Sequence, residues 1–270
     1  MPGQIRLEAA DAQGIARLVF SHPGKLNALS VQMWRELREV FDALNASAAP
    51  PRVLVLQGEG GSFVAGADIE EFPDFRFDPE RLAHYHEQIV APALEAMLAC
   101  ELPLIAMIEG ACVGGGLEIA ACCDLRLCSA QSRFGVPIAK LGFPMAPAEI
   151  QIVARVVGET TLRELLLEAR VLDAEEARAR GLVTRVLPED QLALHVRETA
   201  ERIATLSPQA LRLNKRALRR FAAGPASEAH ERTDHYGYAA SAEHREGLAA
   251  FIERRPARFG AEPGSDPDPS

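Results

Sequence analysis

A run of three glycines, Gly114-Gly115-Gly116, is the feature that most constrains this sequence, because it joins an apolar strand to a helix. The strand is predicted at Leu104–Ile108, and the helix runs through Glu118. A turn of this kind places unpaired backbone N–H groups and the positive end of a helix dipole at one point. Taken alone, a glycine run is most often only a tight turn. It is not a phosphate loop, since no Gly-Lys-Ser/Thr follows and the GxGxxG spacing is absent.

A second small-residue turn occurs earlier in the chain, at Phe63–Ile69 (FVAGADI). Small residues on both sides of Gly66 let a ligand approach the backbone closely. Asp68 is expected to cap the helix that follows rather than to take part in chemistry. If both turns direct an N–H group at one atom, they form an oxyanion hole, which suits reactions in which a carbonyl oxygen gains charge. Glu118 would then lie near the reacting carbon.

The hydrophobic pattern predicts an α/β body followed by a mainly helical region. Strands are predicted at Ile15–Phe20, Arg52–Leu56, Leu104–Ile108, Leu125–Cys128 and Val183–Val186, and helices at Val31–Leu44 with Ser30 as N-cap, from Asp78 to about Cys100, and from Asp173. We predict that residues 1–195 form the α/β core and residues 196–259 the helical region, packed together because no linker separates them. The tail, residues 260–270, is rich in Pro, Gly and acid and is predicted to be disordered.

Composition excludes several classes of protein. The net charge of -9 argues against a nucleic-acid partner. No apolar run is long enough for a membrane helix and no signal segment is visible, which favours a cytoplasmic protein without a membrane partner. The cysteines are odd in number, lie in apolar runs and form no CxxC, so they are interpreted as reduced core side chains, with no metal site predicted: Cys100, Cys112, Cys122, Cys123 and Cys128.

Three segments, in the same order along the chain, make a resemblance specific: FVAGADIEEF, VGGGLEIAACCDLRL and ARARGLVTRVLP. They resemble the signature segments of the enoyl-CoA hydratase/isomerase, or crotonase, superfamily, and the resemblance extends from about Ile5 to Phe259. It implies an α/β fold built as a spiral of ββα turns with a C-terminal helical region. It also implies an acyl-CoA thioester as substrate, no permanently bound cofactor, and assembly as a homotrimer or a dimer of trimers.

The resemblance also assigns site residues by motif position. It implies that Ala67 and Gly115 supply the two oxyanion N–H groups and that Glu118 is catalytic. The residues that it implies for binding substrate and coenzyme A are Asn27, Ala28, Leu29, Ala65, Gly66, Asp68, Ile69, Gly114 and Ile138. The family often uses basic groups near the C-terminus for the phosphates; Arg254 and Arg255 lie in a similar segment, with neither assigned.

The sequence departs from the family at the second catalytic carboxylate. Hydratases of the family generally use two glutamates, one matching Glu118 and one directly after an FGxP segment, where this chain has Ile138. An isoleucine can neither hold a water molecule nor deliver a proton. Glu149, further along, is interpreted as a surface residue at a helix N-terminus, with a displaced second acid as the alternative. His84 and His86, two apart in a helix, point to different faces, which disfavours a metal site.

Three functions remain open. The retained turns and Glu118 favour an enoyl-CoA hydratase-like lyase in which Glu118 is the general base for water. Ile138 motivates other reactions of the superfamily: double-bond isomerisation, thioester hydrolysis or decarboxylation. A non-catalytic acyl-CoA-binding protein is the third. Residues around Asp74–Val90 are expected to shape the acyl pocket, and the sequence does not specify the acyl chain.

Overall fold

A computed structural model of the chain describes residues 1–223 and 236–259. Strands in this part of the chain form two sheets, and their bounds are β1 Gln4–Glu8, β2 Ile15–Ser21, β3 Val53–Gly58, β4 Leu104–Ile108, β5 Ala111–Val113, β6 Leu125–Ser129, β7 Arg133–Gly135, β8 Val171–Asp173 and β9 Arg185–Leu187. The larger sheet has the order β1-β2-β3-β4-β6-β9, with β1 antiparallel and the other pairs parallel. The smaller sheet has the order β5-β7-β8.

Helices connect the strands and cover both faces of the larger sheet. Their bounds are α1 Val31–Ala46, α2 Pro79–His84, α3 Ala91–Ala99, α4 Gly115–Cys122, α5 Pro147–Leu167, α6 Ala174–Ala179, α7 Glu189–Ala204, α8 Pro208–Ala223 and α9 Ala242–Glu253, with 3-10 turns at Ile69–Asp74, Pro137–Leu141 and Gly237–Ala240. The α/β architecture predicted from the sequence is therefore confirmed.

The core divides into two parts because successive side chains of a strand point to opposite faces. In β3, Leu54 and Leu56 pack in the larger cluster with α1 and α3, whereas Val53 and Val55 pack in a second cluster with α7. Because β3 and β4 are buried on both faces, their sequences are continuous apolar runs.

Several local predictions are confirmed and others need correction. Ser30 caps α1, Asp78 caps α2, and the capping box at Asp173 is present. The single helix predicted from Asp78 to Cys100 is wrong in detail, because a π-helical segment, Tyr85–Val90, separates α2 from α3. Pro92 follows this segment and lacks the N–H that a regular turn would need. The short strands β1, β5, β7 and β8 were not predicted.

Asp124 connects helix α8 to the strand β4. Asp124 Oδ2 accepts a hydrogen bond from the N–H of Leu104, in β4, at 2.7 Å. The same oxygen forms an ion pair with Nζ of Lys215, in α8, at 2.7 Å. The predicted boundary after residue 195 falls inside α7, and it stays a prediction, as does the homotrimer. The predicted disordered tail lies outside the described residues. Within residues 1–223 and 236–259, no helix combines the length and apolarity needed to cross a membrane.

The side chain of Asn27 links the turn after β2 to the turn after β3. Its Oδ1 accepts a hydrogen bond from the His22 N–H at 2.9 Å, and its Nδ2 donates to the carbonyls of Glu59 at 2.9 Å, Ser62 at 2.7 Å and Phe63 at 3.2 Å. Asn27 is only 3% exposed and has a φ of 59°, a conformation that asparagine tolerates better than most residues.

We expect Asn27→Ala to lower the free energy of unfolding by about 3–5 kcal/mol, because it leaves buried polar groups unpaired and strains the backbone. Urea denaturation followed by circular dichroism measures this change. Asn45→Ala is the matched control, since Asn45 is exposed and donates one hydrogen bond, to the Ala96 carbonyl at 3.1 Å. An Asn27 variant no less stable than the Asn45 variant would contradict the assignment.

Candidate active site

The two small-residue turns lie side by side. The Val64 N–H donates to the Ala111 carbonyl at 2.9 Å, and the Val113 N–H donates to the Val64 carbonyl at 3.0 Å. Gly116 must be glycine here, since a Cβ on it would lie 2.2 Å from the Val64 carbonyl oxygen. Gly114 has a φ of 52° and approaches Gly66 closely. The glycine run therefore serves close backbone approach as well as the turn itself.

One N–H group in each turn remains without an acceptor. Around Ala67, the Leu29 N–H donates to the Gly66 carbonyl at 2.7 Å and the Asp68 N–H to the Leu29 carbonyl at 2.8 Å, so the intervening Ala67 N–H points away from this bridge. Gly115 is the first residue of α4, where the helix provides no acceptor. Within the described residues, neither N–H donates a hydrogen bond.

Both residues line one cavity of about 180 Å³. Eight of the site residues predicted from the sequence line it: Ala65, Gly66, Ala67, Ile69, Gly114, Gly115, Glu118 and Ile138. Four others do not: Asn27, Ala28, Leu29 and Asp68. Asn27 is engaged as described above, and Asp68 caps the 3-10 turn and pairs with Lys25 Nζ at 2.6 Å. The capping role expected for Asp68 is thus observed.

Two carboxyl groups reach this cavity. Glu118, on α4, is 6% exposed, and Glu149, on α5, is 5% exposed. The interpretation of Glu149 as a surface residue is therefore wrong, and the alternative, a displaced second acid, stays a prediction. Burial, and then the negative charge of Glu149, hold the pKa of the Glu118 carboxyl well above its usual value. The two carboxyl groups are close enough in this buried setting to affect each other's protons.

His86 holds the carboxylate of Glu149. Its Nδ1 lies 2.6 Å from Glu149 Oε1, within hydrogen-bonding distance. His86 belongs to the π-helical segment, and such segments often occur at functional sites. The widened turn places His86 and Tyr85 on the cavity together with Arg76 and Val90. The expectation that residues around 74–90 shape the pocket agrees with this lining.

Sequence reasoning missed His86 and undervalued Glu149, although a signal existed for each. Glu149 precedes the buried Ile152 and Val153 by three and four residues, which places it on the inward stripe of α5. His86 has the same spacing to Ile89 and Val90, both buried. A polar residue in line with an apolar stripe lies on the face of the helix that packs inward, and a buried polar group is informative.

Comparison with known proteins identifies the class. The profile of the enoyl-CoA hydratase/isomerase family matches residues 10–262, nearly the whole chain. The chain belongs to the enoyl-CoA hydratase/isomerase family and is an enzyme of that family. The resemblance noted in the sequence, and the crotonase fold it implied, are thereby confirmed.

Individual relatives cover more than one reaction. A probable enoyl-CoA hydratase of Mycobacterium bovis is 33% identical over 251 residues, covering 92% of this chain and 95% of its own length. A mitochondrial Delta(3,5)-Delta(2,4)-dienoyl-CoA isomerase of Dictyostelium discoideum is 28% identical, with coverages of 79% and 76%. Among solved structures, an enoyl-CoA hydratase/carnithine racemase from Magnetospirillum magneticum has a TM-score of 0.89 at 41% identity, covering 96% of each chain.

Proposed function

We propose that this enzyme adds water to the double bond of a 2-enoyl-CoA thioester. The observation that carries the proposal is the meeting of two buried carboxyl groups, Glu118 and Glu149, at a cavity that also presents the two unpaired amides of Ala67 and Gly115. Hydration needs a base that takes a proton from the attacking water and an acid that gives a proton to the α-carbon. Glu149 supplies the second carboxyl group that Ile138 cannot.

The amides stabilise the intermediate. As water attacks the β-carbon, the electrons of the double bond move toward the thioester carbonyl, and its oxygen becomes an enolate oxygen. The Ala67 and Gly115 N–H groups donate to this oxygen. Removing one such donor typically costs on the order of 10²–10³ in rate, so the pair provides a large part of the acceleration.

The two carboxyl groups divide the proton transfers. The raised pKa of Glu118 favours its protonated form, which makes it the acid, whereas Glu149 is the base. This reverses the role that the sequence suggested for Glu118. Glu149 takes a proton from water as the oxygen–carbon bond forms, and Glu118 gives its proton to the α-carbon. One water molecule is thus added, and the proton on Glu149 returns to Glu118 before the next turnover.

Isomerisation is the second candidate, and the apolar lining by Ile138, Leu141 and Met145 favours it. If these side chains exclude water from the β-carbon, the same carboxyl pair moves a proton between two carbons of a 3-enoyl thioester. The isomerase among the relatives is consistent with such a reaction within the family.

The test follows short- and medium-chain 2-enoyl-CoA by the loss of absorbance of the conjugated thioester, with identification of the product. We expect a 3-hydroxyacyl-CoA formed at a rate proportional to enzyme. Incubation with 3-enoyl-CoA separates the candidates, because an isomerase generates the conjugated absorbance without adding oxygen. Migration of the double bond without a hydroxylated product would establish isomerisation instead. Tight binding with no turnover of either thioester would reject both.

A further inference from the structure

Arg76 brings a positive charge to the cavity that holds Glu118 and Glu149. Its guanidinium carbon lies 3.6 Å from the centre of the Phe143 ring and 4.2 Å from the centre of the Phe72 ring. The rings meet edge to face, with centres 5.7 Å apart. Two aromatic faces therefore hold the planar group in a defined position, as cation–π contacts do.

No protein carboxylate pairs with this cation. Within residues 1–223 and 236–259, the Arg76 side chain forms no ion pair or hydrogen bond, and its Nε is buried without a partner. Glu149 is the carboxyl group that acts on it electrostatically, but Glu149 Oε1 lies against His86 Nδ1 and neither Glu149 oxygen forms an ion pair with Arg76. Burial lowers the pKa of the guanidinium, which still keeps its charge at neutral pH. The Arg76 side chain is half-buried and its Nε is shielded from water, so a bound counter-ion would stabilise the charge.

We propose that Arg76 binds a carboxylate carried by the acyl chain of the substrate. The inference rests on the proposed function and narrows its substrate class to thioesters of dicarboxylic acids. The guanidinium matches a carboxylate with two parallel hydrogen bonds, and the aromatic contacts keep it oriented. Leu141 and Phe143, which line the same cavity, offer no polar group that would compete for the guanidinium. A neutral acyl chain would leave the arginine unpaired.

Coenzyme A itself carries phosphates, which are the other source of an anion. Arg76 shares its cavity with Glu118 and the two unpaired amides, so an anion bound there lies beside the reacting part of the thioester. A carboxylate on the acyl chain fits this position, whereas the phosphates belong to the opposite end of the substrate. Matched substrates that differ only in the acyl chain distinguish the two sources.

The experiment measures kcat/KM for two pairs of CoA thioesters: glutaconyl against 2-pentenoyl, and 2-hexenedioyl against 2-hexenoyl. Within each pair the carbon count is equal and a carboxylate replaces a methyl group. We expect wild-type enzyme to prefer at least one dicarboxylic member. Arg76→Met keeps the packing between the rings and should lower kcat/KM for that member by about 50-fold, while changing its neutral partner less than about threefold.

Two further variants sharpen the result. Arg81→Met removes the same charge from an exposed arginine outside the cavity, so it should leave the preference unchanged. Arg76→Lys keeps the charge without the planar fork, and it should retain part of the preference. Thermal unfolding of each variant checks that the fold is intact.

The outcomes distinguish failure of the proposed carboxylate site at Arg76 from failure of the proposed hydratase function. If wild-type enzyme hydrates neutral and dicarboxylic thioesters equally well, or if Arg76→Met slows both by the same factor, the acyl-carboxylate site is wrong and hydration stands. An equal rise in KM for both, with weaker inhibition by free coenzyme A, would assign Arg76 to the phosphates. If none of the four thioesters is hydrated, the proposed function itself fails.

Discussion

Glu118→Gln should lower kcat for hydration of 2-enoyl-CoA by about 10³-fold, within the range of about 10²–10⁴ that a positioned acid–base group contributes. Glutamine has nearly the same shape as a protonated glutamic acid but cannot give its proton to the α-carbon. KM should change little, because the amides of Ala67 and Gly115 are untouched. Initial rates from the conjugated-thioester absorbance measure the effect, and turnover at the wild-type rate would exclude Glu118 from the reaction.

Comparing the pH dependence of activity in wild type and in Glu118→Gln tests whether Glu118 acts as the acid. With Glu118 as the acid, wild-type activity falls as the pH rises through the raised pKa of its carboxyl, and the residual activity of Glu118→Gln lacks that fall. The folded state binds this proton more tightly than the unfolded chain, so the free energy of unfolding of wild type falls as the pH rises above the usual value of 4.5. The glutamine variant lacks this loss and should be at least as stable at neutral pH.

Glu149→Gln should lower kcat by about 10²–10³-fold, because it removes the carboxylate proposed as the base for water. Glu159→Gln is the matched control: it makes the same substitution just beyond the backbone break at Gly158, at a side chain that is 78% exposed and forms an ion pair with Arg163. The control should keep the wild-type rate. Rates are measured as for Glu118.

The double variant tests whether the two carboxyl groups act as a unit. If each group hands over a proton within one turnover, Glu118→Gln with Glu149→Gln should be little slower than the slower single variant, since residues that act together are strongly non-additive. Effects that multiply would indicate independent roles. A Glu149→Gln variant as fast as Glu159→Gln would return Glu149 to a structural role.

Much of the fold could be predicted from the sequence because local signals and tertiary structure agree. Leu104–Ile108 is an uninterrupted apolar run, and it forms a strand buried on both faces with those same bounds. Capping residues such as Ser30 and Asp78 marked the helix starts correctly. The three-residue strands of the smaller sheet were missed because so short a segment has no periodicity to detect. The π-helical turn at Tyr85–Val90 was also missed, since such turns are rare and interrupt an otherwise continuous helical pattern.

Some features of the candidate site could also be predicted from the sequence, and others could not. The two turns could be predicted because glycine is required there by positive φ at Gly114 and by the closeness of Gly116 to Val64. Glu149 and Arg76 could not be placed, because their positions depend on how α5 and the segment after the first turn pack over the cavity. Its charge made Glu149 appear solvated, although the apolar spacing around it indicated an inward face.

A crystal structure of the Glu118→Gln variant with a bound 2-enoyl-CoA would test the central claim most directly. The account predicts that the thioester oxygen lies about 2.7–3.1 Å from both the Ala67 nitrogen and the Gly115 nitrogen. It also predicts that the β-carbon faces the Glu149 carboxylate. A thioester oxygen bonded to neither amide, with the acyl chain outside the cavity that Glu118 and Glu149 line, would contradict it.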